Sequence, residues 1–423
     1  MFKSKMSYSI IHLLFLIWIV LPTVLRLDMK GSRQSNMISC VVFYRSQKVT
    51  LLHVNDIHSH FEEVNIKTGT CKQEDKDKGN CYGGLSRIFS YVRDVRREDP
   101  EALLLNAGDF YQGTMWYTIF KYQPVIEFSN LLNYTSGSLG NHDWDDGGEG
   151  LKPFTDQANF PLLAANVLSE TVPKIRSSVV VSVKGVKIGI IGYVTPETVS
   201  ISSPGNRTYF YDIIPSVREE AKTLKSLGVN ILIAVGHAGY NVDKEMARTV
   251  EELDIVVGGH SHTFLYTGEE PSIEKAQGDY PTFIRQESGR VVPVVQAYCY
   301  TKYLGHMELQ FDEEGELLKP VEYLGVWFAE PILLDSSIAK DEWIESKFEK
   351  YLSVLKPYKE VVGSTLEPLE RNDNNESLLG NVVTDSMLSA WREAEVCKWK
   401  LPYFTKIYLY LCVLLQNWAE NIA

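Results

Sequence analysis

The sequence predicts an α/β fold in which a largely parallel β-sheet carries helices on its faces. Short apolar runs alternate along the chain with segments of helical spacing, which is the order that parallel strands and crossover helices require. Two regions, 179–194 and 291–311, instead have the pattern of antiparallel hairpins, so we expect a second sheet or an added set of antiparallel strands. The length of 423 residues exceeds one average domain and predicts two.

Each element follows from local periodicity. Strands are predicted where β-branched residues and leucines cluster, at 49–54, 102–106, 135–139, 230–235 and 254–257. Helices are predicted where apolar residues recur every three or four positions, at 84–97, 123–132 and 216–227. A turn at Lys184-Gly185 divides the first hairpin-like region. Strand and helix thus alternate through most of the chain that precedes residue 260.

The composition is that of an ordinary globular protein, with 44% hydrophobic and 23% charged residues. The formal net charge of −12 argues against a nucleic-acid partner, because such proteins need a basic face to displace counterions. A small anionic substrate would need a local positive centre instead. A bound metal ion is one way to make it.

The N-terminal segment 1–27 is predicted to be a signal peptide or a signal anchor. Lys3 and Lys5 precede an apolar run at 10–25 that is short for a membrane span of about 20 residues. A secretory signal is the first interpretation, and an uncleaved anchor, which would attach the chain to a membrane, is the alternative. Sequons agree with a secreted location or the extracellular face of the plasma membrane, and they begin at Asn133, Asn206 and Asn375.

Two cysteines, Cys71 and Cys81, bracket a loop rich in lysine and aspartate. In an oxidising compartment they would close this loop as a local disulfide. Two free thiols are the alternative, which a secreted protein seldom tolerates.

Ligand-type side chains follow five of the predicted strands. Because the carboxyl ends of parallel strands lie along one edge of a sheet, we expect these side chains to converge. Aspartate, histidine and asparagine form a mixed oxygen and nitrogen set that suits Zn²⁺, Mn²⁺ or a similar divalent ion. The set is too large for one tetrahedral site, and two ions about 3.5–4 Å apart would use it fully. The residues are Asp56, His58, Asp109, Asn141, His142, His237, His260 and His262.

In this order along the chain, the motifs D-x-H, GD, GNHDxxD, GHAG and GGHSHT resemble those of the 5′-nucleotidase family of calcineurin-like metallophosphoesterases. Ecto-5′-nucleotidases and the apyrases of blood-feeding arthropods are similar throughout, over about 49–391, including the stretch "PVVQAYCYTKYLG". The resemblance implies a four-layer α/β/β/α metallophosphatase domain at 48–330. It also implies two divalent ions, with zinc preferred and Mn²⁺, Mg²⁺ or Ca²⁺ as alternatives.

The resemblance also implies a role for each site residue. Asp56 and His58 would bind one ion, and Asp109 would bridge to the second. The ligands of the second ion would be Asn141, His237 and His260.

Two further roles concern the substrate phosphate. His262, together with Asn141, would contact the phosphate, and His262 could also reach the first ion. His142 would act on the phosphate rather than on a metal, and the resemblance places Asp145, three positions on, as the acid that orients it. An imidazolium at His142 would stabilise charge that develops on the phosphoryl oxygens.

Three further histidines are not predicted to bind a metal or the substrate. His53 is expected to be a buried core histidine, and His306 is expected to be structural. His60 is expected to lie beside the ligands or in solvent.

The C-terminal part is predicted to begin with a linker helix at 336–357, because apolar residues there have helical spacing and the run ends at Pro357. Residues 358–391 resemble the opening of the family's nucleotide-binding domain. The tail at 392–423 departs from the family pattern, and the arginine cluster and base-binding aromatics are not recognisable in it.

The predicted function is hydrolysis of phosphate from extracellular nucleotides, most simply AMP to adenosine and phosphate. An apyrase that acts on ATP and ADP shares every motif quoted above. A truncated, non-catalytic nucleotide-binding secreted protein is the alternative from another class. The sequence leaves the oligomeric state open.

Overall fold

The computed structural model describes residues 47–312, 328–359, 365–366, 369 and 377–397. The N-terminal segment 1–27, the sequon at Asn375 and most of the tail at 392–423 therefore lie outside the described residues. Within the described residues, no helix combines the length and apolar character that crossing a membrane requires.

The strands and helices alternate as the sequence predicts. The strands are β1 (Gln47–Val54), β2 (Val64–Asn65), β3 (Cys81–Tyr82), β4 (Leu103–Asn106), β5 (Ser136–Ser138), β6 (Leu162–Leu163), β7 (Val167–Ser169), β8 (Ser178–Val183), β9 (Val186–Val194), β10 (Thr208–Phe210), β11 (Ile231–His237), β12 (Ile255–Val257), β13 (Thr282–Arg285), β14 (Val291–Val295), β15 (Tyr303–Phe311) and β16 (Phe328–Leu333). The helices are α1 (Gln73–Asp77), α2 (Leu85–Glu98), α3 (Met115–Phe120), α4 (Tyr122–Leu132), α5 (Gly147–Gln157), α6 (Thr198–Ile201), α7 (Ile213–Ser226), α8 (Tyr240–Thr249), α9 (Glu342–Leu355) and α10 (Leu378–Cys397). Short 3₁₀ turns occur at His142–Trp144 and Lys356–Lys359.

Two six-stranded sheets form the centre of the molecule. In sheet one the order is β16-β15-β1-β4-β5-β6, and β1, β4, β5 and β6 run parallel. In sheet two the order is β13-β14-β12-β11-β9-β8, and β14, β12, β11 and β9 run parallel. Sheet one has antiparallel strands at one edge, β15 and β16, whereas sheet two has one at each edge, β13 and β8.

The sheets pack face to face, and helices cover both outer faces. Successive side chains of a strand point to opposite faces of its sheet. In β1, Leu51 belongs to the core between the sheets, whereas Leu52 packs under the helices of sheet one. In β11, Ile233 lies between the sheets and Leu232 packs with α7 and α8. Three apolar cores thus separate four layers, which confirms the predicted α/β/β/α arrangement.

The two hairpin-like regions have different outcomes. β8 and β9 pair antiparallel around Lys184-Gly185, as predicted. The region 291–311 is not a hairpin, because β14 joins sheet two beside β12 while β15 joins sheet one beside β1. The chain crosses from one sheet to the other between these strands. Alternating apolar residues show that a strand is half buried, but they do not identify the partner strand.

Cys71 and Cys81 form a disulfide that closes the loop around α1, as predicted. Helix α9 packs its apolar side, including Phe348 and Tyr351, against the core beneath sheet one. Its N-cap is Asp341, whose side chain accepts hydrogen bonds from the backbone N–H groups of Trp343 and Ile344. The helix therefore begins later than residue 336, where the linker helix is predicted to start.

Candidate metal centre

The predicted ligands meet where five parallel strands end. β1, β4 and β5 are neighbours in sheet one, and their carboxyl ends lead to Asp56 and His58, to Asp109, and to Asn141. β11 and β12 are neighbours in sheet two, and they lead to His237, and to His260 and His262. The site therefore lies at one edge of the sandwich and draws side chains from both sheets.

Two buried carboxylates lie at the middle of this cluster. The Nε2 atom of His237 lies 2.9 Å from Asp109 Oδ2 and 3.7 Å from Asp56 Oδ1. His58 Nε2 lies 3.4 Å from Asp109 Oδ2 and 3.8 Å from Asp56 Oδ1. His262 Nε2 lies 3.1 Å from Asp56 Oδ1. Donor atoms of two triads fall within metal-binding range of one another, namely Asp56, His58 and His262, and Asp56, Asp109 and His237.

The remaining predicted ligands border these triads. The ring of His260 lies 5.0 Å from the ring of His237, and its backbone N–H donates to Asp56 Oδ2 at 3.0 Å. Asn141 is buried, with 3% of its surface exposed. Its neighbour His142 donates its backbone N–H to Asp109 Oδ1 at 2.9 Å.

Two buried polar atoms fit a cation rather than a protein partner. Within the described residues, neither Asn141 Oδ1 nor His237 Nε2 has a hydrogen-bond partner. His237 Nε2 nevertheless lies 2.9 Å from Asp109 Oδ2, and this carboxylate raises the pKa of the ring. Buried polar atoms are nearly always satisfied, so two such atoms beside two carboxylates fit a cation-binding site. The donor set of carboxylate, imidazole and amide oxygens suits Zn²⁺ or a similar divalent ion.

The electrostatics agree with a cation at this point. Burial alone would raise the pKa of Asp56, but His237 and His262 outweigh it and the pKa is lowered. Burial alone would lower the pKa of His237, but Asp109 and Asp56 raise it to about 10. A cation would compete for His237 with that proton, because a ligand must be deprotonated. Burial lowers the pKa values of His58 and His260, which keeps both rings neutral.

The backbone adopts a costly conformation at most of the predicted ligands. Left-handed φ angles are uncommon outside glycine and cluster at functional sites. Five ligand candidates have them, namely Asp56 (48°), His58 (49°), Asp109 (55°), His260 (77°) and His262 (48°). The loops turn sharply at these residues and aim their side chains into the cluster.

One glycine is required by close packing around the carboxylates. A Cβ atom on Gly140 would lie 2.1 Å from Asp109 Oδ1 and 2.4 Å from its backbone nitrogen. No side chain fits there, so the loop that carries Asn141 can approach Asp109 only because residue 140 is glycine.

His142 occupies a different position. Its Nδ1 lies 2.7 Å from Asp145 Oδ2, and 37% of its side chain is exposed. The hydrogen bond to Asp145 raises the pKa of His142, which favours the charged imidazolium. The predicted His142–Asp145 pair is therefore formed, with the ring 5.2 Å from that of His58.

The three histidines that were not predicted to act in the site have identifiable contacts. His53 is buried and its Nε2 lies 2.7 Å from the Tyr280 hydroxyl, as expected of a core histidine. His306 is buried and pairs with Tyr91. His60 lies beside the ligands, with Nδ1 2.9 Å from the carbonyl oxygen of His58.

Two residues that fix the loops of the site, Asp143 and Gln296, were missed by sequence reasoning. Asp143 accepts hydrogen bonds from the backbone N–H groups of Phe110, Tyr111 and Gly140, so it joins the loops after β4 and β5. Gln296 binds the Gly259 carbonyl and the Thr263 N–H and fixes the loop that carries His260 and His262. Asp143 and Gln296 both lie inside quoted motifs, which was the available signal.

The chain belongs to the calcineurin-like phosphoesterase family, whose profile matches residues 49–264. It is 39% identical to human 5′-nucleotidase over 356 residues, which cover 81% of this chain and 60% of that protein. It is 38% identical to a snake venom 5′-nucleotidase of Crotalus adamanteus over 375 residues, 83% of this chain and 61% of that one. The chain thus spans about three fifths of the length of these curated relatives.

The fold is similar to that of a solved protein as well. The crystal structure of a 5′-nucleotidase precursor from Thermus thermophilus superposes with a TM-score of 0.72 at 32% identity, covering 82% of this chain and 68% of that one.

Proposed function

We propose that this protein is a metal-dependent phosphohydrolase that removes phosphate from extracellular nucleotides, acting as a 5′-nucleotidase on AMP. The observation that carries the proposal is the convergence of buried Asp56, Asp109 and His237 with the half-buried His142–Asp145 pair at one edge of two sheets. The 5′-nucleotidases among its relatives support the choice of substrate.

The proposed ligand roles are those that the family resemblance implies. Asp56, His58 and Asp109 would hold one ion, and Asp109, Asn141, His237 and His260 would hold the second. Two divalent ions bound there would supply positive charge for the phosphate and Lewis-acid catalysis. The placement of His262 beside Asp56 supports a role with the first ion or with the phosphate.

Residues of the chain itself would orient the substrate phosphate and stabilise its charge. His142, charged and held at Nδ1 by Asp145, presents its Nε2 to the substrate and stabilises negative charge on the phosphoryl oxygens. Asp145 keeps the ring protonated and aimed. The buried carboxylates and neutral histidines hold their positions because the loops around them are fixed by Asp143 and Gln296.

An extracellular location is part of the proposal. The Cys71–Cys81 disulfide supports it, because such bonds persist in oxidising compartments. The segment at 1–27 is proposed as signal or anchor, 336–357 as linker helix, and 358–391 as the start of the nucleotide-binding domain.

Phosphate release from AMP, ADP and ATP, each with and without a chelator, tests the proposal. We expect release from AMP that the chelator abolishes and added Zn²⁺ or Mn²⁺ restores. Preference for ATP and ADP would make the protein an apyrase. No release from any nucleotide at full metal occupancy would contradict the enzyme and leave the binding protein.

A further inference from the structure

Residues 195–202 form a segment that reaches from a ligand histidine to the His142–Asp145 pair. At its start, the backbone N–H of Thr195 donates to the His237 carbonyl at 2.8 Å. Helix α6 follows, and at its end the hydroxyl of Ser202 donates to Asp145 Oδ1 at 2.8 Å. The next residue, Ser203, lies close to the start of α5, since a Cβ atom on Gly147 would be 3.4 Å from the Ser203 carbonyl oxygen.

Asp145 is held through both carboxylate oxygens. Oδ2 faces His142 Nδ1 at 2.7 Å and also accepts from Gln112 Nε2 at 3.3 Å. Oδ1 accepts from Ser202. Donors on both oxygens fix the plane of the carboxylate, and this plane sets the direction in which the His142 ring points.

The contact joins the two halves of the molecule. Asp145 follows β5 of sheet one, whereas Ser202 follows β9 of sheet two. His142 is thus oriented relative to His237 and His260, which sheet two carries, and not only relative to its own loop.

The neighbouring Ser200, within α6, shows that a serine of this segment need not bind Asp145. Ser200 lies two residues earlier and is exposed, and its hydroxyl donates to the carbonyl of Glu197 within its own turn. Ser200 therefore offers a matched control, because removal of its hydroxyl is the same chemical change two residues away in the same segment.

We propose that Ser202 is a positioning residue for the phosphohydrolase reaction, acting through Asp145 on His142. This inference rests on the proposed function and adds to it a residue that none of the quoted motifs contains. With the hydroxyl removed, the Asp145 carboxylate can rotate and the ring of His142 loses its fixed direction, while the ligands of the ions are untouched.

The test compares steady-state kinetics of the metal-loaded, full-length wild type with Ser202→Ala, Ser202→Thr and Ser200→Ala, using AMP. We expect Ser202→Ala to lower kcat about tenfold, the size expected for one hydrogen bond to a charged group, with KM and bound metal unchanged. Ser202→Thr keeps the hydroxyl and should recover most of kcat. Ser200→Ala should match the wild type. If Ser202→Ala fails to fold, Ser202→Cys replaces it, because a thiol is a weak donor of similar size and the same decrease is expected.

A second measurement does not depend on turnover. In a cycle of Ser202→Ala and Asp145→Ala, the decreases in Tm should not add, because both changes remove the same hydrogen bond. Additive decreases would overturn the proposal, as would an unchanged kcat in Ser202→Ala or a loss of bound metal. An inactive wild type would instead contradict the proposed function, and the Tm cycle would still decide whether Ser202 holds Asp145.

Discussion

His237 and His142 both stand where a strand of the sandwich ends, yet their surroundings differ in every respect that matters for chemistry. His237 is fully buried, its Nδ1 faces the Ala107 carbonyl at 2.9 Å, and its Nε2 points at two carboxylates. His142 is 37% exposed, and its Nδ1 is held by Asp145. In the proposed roles, His237 would have to give up its Nε2 proton before it could bind a cation, whereas the hydrogen bond from His142 to Asp145 favours the charged ring. The partner of Nδ1 and the burial of the ring thus distinguish the two proposed roles.

Asp109→Ala should have the largest effect, because Asp109 contacts both His58 and His237. We expect at least one metal ion to be lost and kcat/KM to fall by about 10⁴-fold, since a lost Lewis acid is worth several kcal/mol. Metal analysis beside AMP kinetics measures both. Asp94→Ala, at an exposed position of α2, is the control. Full metal content in Asp109→Ala would contradict the bridging role.

His142→Ala should separate the two histidines. We expect kcat to fall by about 10²–10³-fold, the range of a positioned acid or charge stabiliser, while metal content stays at the wild-type level. His237→Ala should lose bound metal in addition to activity. A metal loss in His142→Ala equal to that in His237→Ala would mean that both are ligands, and the comparison would fail.

Gly140→Ala tests whether the loops after β4 and β5 must approach each other this closely. The new Cβ would collide with the side chain and backbone of Asp109, so we expect Asp109 or Asn141 to shift and activity to fall by about 10²-fold, the cost of a misplacement near 1 Å. Gly69→Ala is the control, because its Cβ would meet nothing closer than 3.4 Å. Normal kinetics in Gly140→Ala would show that the loops have more freedom than the structure indicates.

The smallest effect on turnover is expected outside the centre, at Glu63. Burial alone would raise the pKa of Glu63, but hydrogen bonds from Lys340 and Arg87 outweigh it and lower the pKa below the ordinary 4.5. Its stabilising effect is therefore present above pH 4.5 and lost as the pH falls through the lowered value.

We expect Glu63→Gln to lower the free energy of unfolding by about 1–2 kcal/mol at pH 7, with the difference shrinking in acid, and to leave kcat within about twofold. Denaturant unfolding at pH 7 and pH 3.5 measures this. A difference that grows in acid would contradict the assigned sign.

Much of the site could be predicted because it follows one rule. Parallel strands place their carboxyl ends together, so Asp56, Asp109 and His237 could be expected to meet although 181 positions separate the first from the last (237 − 56). The same reasoning predicted the alternating strands and helices around them.

The missed features depend on packing between segments that local periodicity does not link. Ser202 reaches Asp145 across 57 positions, through a short helix with no ligand-type pattern. Likewise β14 and β15 have strand character, but the pattern could not tell that each joins a different sheet. Pairing partners are set by the whole fold rather than by the strand itself.

Because the proposed site draws side chains from both sheets, its geometry depends on how the two sheets pack against each other. Sliding of one sheet against the other by a fraction of a side chain would leave each sheet's helices and ladders intact but would pull His237 and His260 away from Asp56 and Asp109. Under mild denaturant, catalysis should therefore disappear before the circular dichroism of the backbone changes, which would make turnover a sensitive gauge of the fit between the sheets.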